Sequence, residues 1–187
     1  MLSPQTLNEE DRRLVAGWAA DCAERVLHLF EAEAPGDDRA RDGIERARAF
    51  ARGEVDAASQ IRRRFVAGRA SQAASSPAGK AAAWAAGQAS GVAHMGAHAL
   101  GAAAYAAKAA ALAGPDVGGP DELAWQLAQM SVPVETALRK LPLLGTDRSG
   151  PLGSGLLASG ALGTHIRLVQ AALGQREEPQ TNRPTAE

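Results

Sequence analysis

Two histidines, a tyrosine and a lysine are set into a run of alanine and glycine, "WAAGQASGVAHMGAHALGAAAYAAK", from Trp84 to Lys108. Trp84, Gly87, Gly91, His94, His98, Gly101, Tyr105 and Lys108 follow one another at alternating spacings of three and four, so on a continuous helix they share one stripe. A helix glycine costs about 1 kcal/mol relative to alanine, so repeated glycines on that stripe signal close approach by another backbone or room for a ligand. Three readings follow: tight packing with His94 and His98 hydrogen-bonded in the core, a pocket or contact surface, or plain exposure. One turn apart, His94 and His98 have the spacing by which two imidazoles share a zinc ion. "HMGAH" lacks the glutamate after the first histidine that the metalloprotease pattern uses as its base, and a third ligand would have to come from Asp21, Glu24 or His28. No metal and no cofactor is assigned.

A second polar set lies upstream. "WAADCAERVLHLF" puts Asp21, Glu24, Arg25 and His28 on the side of a helix away from Leu14, Trp18 and Val26, with Asp21–Arg25 and Glu24–His28 four residues apart. This is either a solvated face of ion pairs, worth about a few tenths of a kcal/mol each, or a face turned toward the histidines. In the second case it forms a polar cleft able to move a proton or hold a cation. The candidate ligand or partner site is therefore Asp21, Glu24, Arg25, His28, His94, His98 and Tyr105. Cys22 falls on the apolar stripe and reads as a packed thiol. No complete catalytic signature is present and no catalytic residue is assigned.

The elements that must position these groups all read as helices. Thr6 and Glu9 make a capping box for a first helix running to about Ala34. "PGDD" stops it, Asp38 caps a second helix ending near Gly53, and Asp56 caps a third that fades before Pro77. From Pro77 to about Ala113 the pattern predicts one long helix, with proline at its start. "GPDVGGP" is a loop, Asp121 opens a further helix, Pro133 kinks or restarts it, and "ALGTHIRLVQAAL" returns to helix after a glycine-rich segment. That segment could cover a pocket, with Asp147, Arg148 and Ser149 as its polar members, but it lacks the Gly-Lys-Ser/Thr of a phosphate loop. No run alternates with a period of two, so no sheet is expected. The expectation is a single-domain all-α bundle over residues 1–174 around the long Ala/Gly-rich helix, with a disordered tail over 175–187.

Composition narrows the partners. The chain has 187 residues, 45% hydrophobic but only 4% aromatic, so its core must be built largely from alanine. A formal net charge of −1 argues against nucleic acid or an anionic membrane as the main partner. The single cysteine allows no internal disulfide, and "MLSPQTLNEEDRR" has no apolar run of a signal peptide. The Ala-rich run would carry Gln88, His94, His98 and Lys108 into lipid. A cytoplasmic location is expected. One asymmetry stands out: nine arginines between Arg39 and Arg69 face only four carboxylates.

"WAADCAERVLHLFE", "DDRARDGIERARAFARGE" and "AHMGAHALGAAAYAAKAA" resemble the family-five-like immunity proteins of bacterial polymorphic toxin systems, over roughly residues 7 to 130. The matching positions are Asp21, Cys22, Ala23, Glu24, Arg25, His94 and His98. This resemblance implies an all-α fold, a cognate protein toxin as partner, and no catalytic residue. Two functions are then in play. One is an immunity-type binder whose arginine-rich second and third helices face an acidic partner; the other is a small-ligand- or metal-binding protein, or an enzyme, working from the polar cleft. The oligomeric state is not legible in the sequence.

Overall fold

The structure, a computed structural model, describes residues 3–114 and 121–176. The segment expected to be a loop at 115–120, and the expected tail apart from Gln175 and Arg176, lie outside the described residues. Helices α1 (Glu9–Glu31), α2 (Arg39–Ala51), α3 (Ala57–Arg63), α4 (Val66–Arg69), α5 (Pro77–Gly91), α6 (His98–Ala113), α7 (Asp121–Ala128), α8 (Val132–Arg139) and α9 (Gly160–Gln175) build an all-α domain. Short 3-10 turns stand at Pro4–Thr6, Ala70–Ala73 and Leu156–Ala158. No β-strand occurs among the described residues; Asp147 and Gly153 form an isolated bridge.

The cap of α1 is Asn8, whose side chain accepts from the Asp11 amide at 2.7 Å. Thr6, expected in that role, belongs to the preceding 3-10 turn. Asp56 caps α3 as expected, accepting from the Ser59 amide at 2.6 Å. The expected third helix breaks at Arg64 and Phe65 and continues as α4 and a 3-10 turn.

The principal correction concerns the Ala-rich run. Instead of one helix from Pro77 to Ala113, the chain ends α5 at Gly91, turns through Val92–Ala97 and returns as α6. Its nested contacts (Trp84 with Tyr105, Gln88 with His98 and Gly101, Gly91 with His98) define an antiparallel hairpin. Length supplies the reason: a single helix over this run would be about 55 Å long, against a radius of gyration of about 16 Å for a domain of this size. Folding back buries alanine on alanine, and Ala82, Ala83, Ala85, Ala86, Ala102 and Ala103 are all fully buried. The break is satisfied from far away in sequence, since the Gly96 and Ala97 amides donate to the Thr6 and Gln5 carbonyls, each at 3.0 Å.

α1 lies across this hairpin and also packs on α2, with Val15, Trp18, Cys22, Val26 and Phe30 buried between them. α8 and α9 close the far side, α9 lying against α6. The glycine-rich segment wraps the N-terminal turn. Gln5, 1% exposed, donates to Asp147 Oδ2 at 2.7 Å and to the Ser149 carbonyl at 2.8 Å, and accepts from the Leu152 amide at 2.9 Å. Gly150, at φ +80°, leaves no room beside Gln5 for a side chain.

Candidate functional site

The hairpin brings the spaced residues of the Ala-rich run face to face. The Trp84 and Tyr105 rings stack at 6.1 Å between centroids and 25° between planes. One turn nearer the bend, His98 Nδ1 lies 2.8 Å from Gln88 Oε1. With the amide oxygen accepting, Nδ1 carries the proton and Nε2 is left as an acceptor. Gly91 makes space for the imidazole, because a Cβ there would stand 3.0 Å from His98 Cγ.

Three adjoining cavities meet at Trp84. The first, about 440 Å³, is walled by Arg64, Phe65, Gly68 and Arg69 on one side and by Trp84, Gln88 and His98 on the other. The second, about 400 Å³, shares Trp84, Gln88 and His98, adds His94 and Tyr105, and is closed by Gly150–Leu157 of the glycine-rich segment. The third, about 300 Å³, shares Trp84, Tyr105 and Leu156 and carries Lys80 and Lys108. Large apolar groups rim them in the open: Phe65 is 59% exposed, Trp84 42% and Leu156 70%. Glycine makes the walls possible. α4 seats against α5 with Gly68 on Gly87, where a Cβ on Gly87 would stand 2.7 Å from Gly68 Cα.

The electrostatics run one way. Burial, with neighbouring His94 and Arg64, lowers the His98 pKa to about 4. His94 is lowered too, by burial first and then by Arg64 and Arg12. Burial raises the Tyr105 phenol. At neutral pH His98 is uncharged, and the cations that line the cavities are Arg64, Arg69, Lys80 and Lys108. Arg64 lies over the Phe65 ring at 4.2 Å.

The expected face on α1 does not join this site. Asp21 and Glu24 are exposed and take Arg48 of α2, at 2.7 and 2.5 Å. Arg48 holds Glu24 below the usual carboxylate range. Arg25 pairs with Glu122 of α7 at 2.7 Å and covers the Trp125 ring at 4.3 Å. His28 is exposed in the last turn of α1. None of these four lines a cavity that His98 lines, so of the two readings of this face the solvated, ion-paired one holds, and the cavities lie instead between the hairpin, α4 and the glycine-rich segment. In place of the expected pairs Asp21–Arg25 and Glu24–His28, Asp21, Glu24 and Arg25 take partners on other helices.

The arginine-rich stretch is likewise largely paired within the chain. Arg39 takes Asp37, Arg41 takes Glu31, Arg52 takes Glu54, and Arg63 reaches Asp42 at 3.4 Å. Cys22 is fully buried and its thiol is pushed up by burial, consistent with a packed side chain. Among the described residues no group of three or more His, Cys, Asp or Glu could hold a metal ion, and no helix is long and apolar enough to cross a membrane.

Sequence reasoning missed Phe65, Gln88, Arg64, Arg69 and Leu156 as wall residues. Gln88 alone carried a signal, as a polar side chain in an alanine run. It also missed a buried polar chain under α7, in which Gln126 donates to the Ala103 carbonyl at 3.0 Å and to Glu122 Oε1 at 2.9 Å. His165 meets Gln126 Oε1 at 2.8 Å, and Trp18 donates to the Gln126 carbonyl at 2.9 Å. This chain ties α1, α6, α7 and α9 together.

Comparison with known proteins places these features in a frame. A family model described as "Imm-5 like putative immunity protein" matches residues 5–133. No curated protein and no solved structure matches the chain. The matched span holds the hairpin and α4, while the Gly150–Leu157 wall lies beyond it.

Proposed function

Because the chain belongs to the Imm-5-like immunity family, we propose that it binds and neutralises a cognate toxin in the bacterial cytoplasm, and that it does so through the face centred on Trp84. The observation that carries this reading is the exposure of Phe65, Trp84 and Leu156 around three adjoining cavities. Exposed aromatic anchors beside concave, well-packed pockets with arginine nearby are the composition of an interface hot spot. Tyr105 stacks on Trp84 and Gly68 lies against its ring, so less ordering entropy is lost when a partner packs on it.

The test is co-expression with a toxin domain recovered from the host as a stoichiometric partner of the chain. Wild-type chain restores growth of the intoxicated cells, and Trp84→Ala, checked for native helicity by circular dichroism, restores it poorly. Failure of the wild-type chain to protect overturns the reading; full protection by Trp84→Ala moves the contact surface elsewhere on the molecule.

The 440 Å³ cavity beside His98 favours a second reading, a small apolar ligand, since drug-sized ligands occupy cavities of about 300–1,000 Å³. A mass added to the purified native protein and lost on His98→Ala identifies that case.

A further inference from the structure

The charge around the three cavities is one-sided. Arg64 and Arg69 flank the first, Lys80 and Lys108 the third, and no carboxylate lines any of the three. Among the described residues none of these four cations forms a salt bridge, whereas Arg39, Arg41, Arg48, Arg52 and Arg63 all do. Glu33 offsets part of the Lys80 charge without pairing with it, its Oε2 accepting from the Ser75 and Ser76 amides at 2.7 and 2.9 Å. Five of the seven arginines from Arg39 to Arg63 are thus paired within the chain, whereas the four cations of this rim have no ion-pair partner among the described residues.

We propose that the Trp84 groove receives an acidic peptide segment of the partner, with an aromatic or aliphatic side chain seated against Trp84 and carboxylates on either side meeting Arg64/Arg69 and Lys80/Lys108. This rests on the toxin-binding reading and names the chemistry of the partner's contacting element. From Lys80 to Gly91, α5 spans about 16 Å by its helical rise, the length of about five residues of extended chain. The apolar walls demand an apolar anchor. The rim selects its neighbours, because charge complementarity excludes basic partners and speeds encounter with acidic ones. A single-stranded nucleic acid also offers negative charge and stacking faces. The cavities are concave and meet at one exposed indole, though, while a single strand is tracked by successive stacking platforms along a basic groove. This geometry favours a protein segment.

The test does not require the toxin. A random dodecapeptide library displayed on phage is panned on the wild-type chain and, in parallel, on Trp84→Ala and on Arg69→Glu/Lys80→Glu, whose substituted side chains are exposed. The expected result is enrichment of peptides combining Asp or Glu with Phe, Trp or Leu, lost on Trp84→Ala and weakened at least fivefold on the double charge reversal. Enrichment of neutral or basic peptides, or of none that depends on Trp84, overturns the proposal. So does an oligothymidine that binds the wild-type chain, depends on Trp84 and displaces every selected peptide. Protection from the toxin together with a failed selection refutes the acidic segment and leaves toxin binding standing; a successful selection without protection does the reverse.

Discussion

Gly87→Ala and Gly17→Ala are the same chemical change on two helices, and the structure gives them opposite signs. Replacing a helix-interior glycine by alanine gains about 1 kcal/mol of helix propensity. At Gly17 of α1 the new methyl would meet only Ala51 Cβ at 3.7 Å, an ordinary contact, so most of that gain should appear as stability. At Gly87 it would stand 2.7 Å from Gly68 Cα and 2.9 Å from Gly68 N, both backbone atoms of α4. Carbon atoms rest at about 3.5–4.0 Å, so α4 must withdraw by about 1 Å. Overpacking of this kind costs about 1–3 kcal/mol, which exceeds the propensity gain and leaves a net loss of about 1 kcal/mol. The two variants should thus differ by about 2 kcal/mol, or about 4–8 °C in Tm at this chain length. Thermal and urea unfolding followed by circular dichroism reads the difference. If Gly87→Ala is as stabilising as Gly17→Ala, α4 is not seated on α5 through its glycines, and the wall carrying Phe65 and Arg69 is not where the structure puts it.

Other expectations concern single groups. His98 should stay neutral in an NMR titration until about pH 4; an imidazole titrating near 6.5 would contradict its burial. The unfolded chain takes up this proton below about 6.5 and the folded one only below about 4, so stability falls with pH across that window, by about 3 kcal/mol for His98 alone. His98→Gln should flatten this slope in urea unfolding, leaving a smaller slope from His94 and His165, whose pKa values are also lowered by burial. Gln126→Leu strips partners from His165 and Glu122 and should cost about 2 kcal/mol or more in urea unfolding; a loss below about 0.5 kcal/mol would show that the buried chain is dispensable. Gln5→Ala should speed hydrogen exchange at the Leu152 amide, its acceptor having gone, and an unchanged rate would mean that water serves equally well.

The all-α class, the buried face of α1 and the starts of α3 and α5 were legible because their signals are local: the apolar spacing through Val15, Trp18, Cys22 and Val26, Asp56 before α3, Pro77 at the start of α5. The bend at Val92–Ala97 was not. α5 and α6 are buried among alanines over most of their surface, so the run has little polarity contrast to reveal where a helix ends. The acceptors that satisfy the broken ladder, Gln5 and Thr6, lie some ninety residues upstream. The polar face on α1 is the solvated, ion-paired face that one of the two sequence readings gave, but its partners were not legible, since spacing reports only neighbours on the same helix. Arg48, which takes Asp21 and Glu24, comes from α2. His94, His98 and Tyr105 do line one cavity, although through a hairpin and not through the stripe that suggested them.

The clasp on Gln5 ties folding to the order of synthesis. It joins positions 142 and 147 residues apart, and contacts of such separation close late, after the local hairpin. A nascent chain that has emerged only as far as α8 can already stack Trp84 on Tyr105. It then shows the bare side of that pair to the cell, because Leu156 and Leu157 are still to come. During translation the protein therefore passes through a stage with its most adhesive surface half-walled, and the last segments made are the ones that end its exposure to chaperones and to other nascent chains.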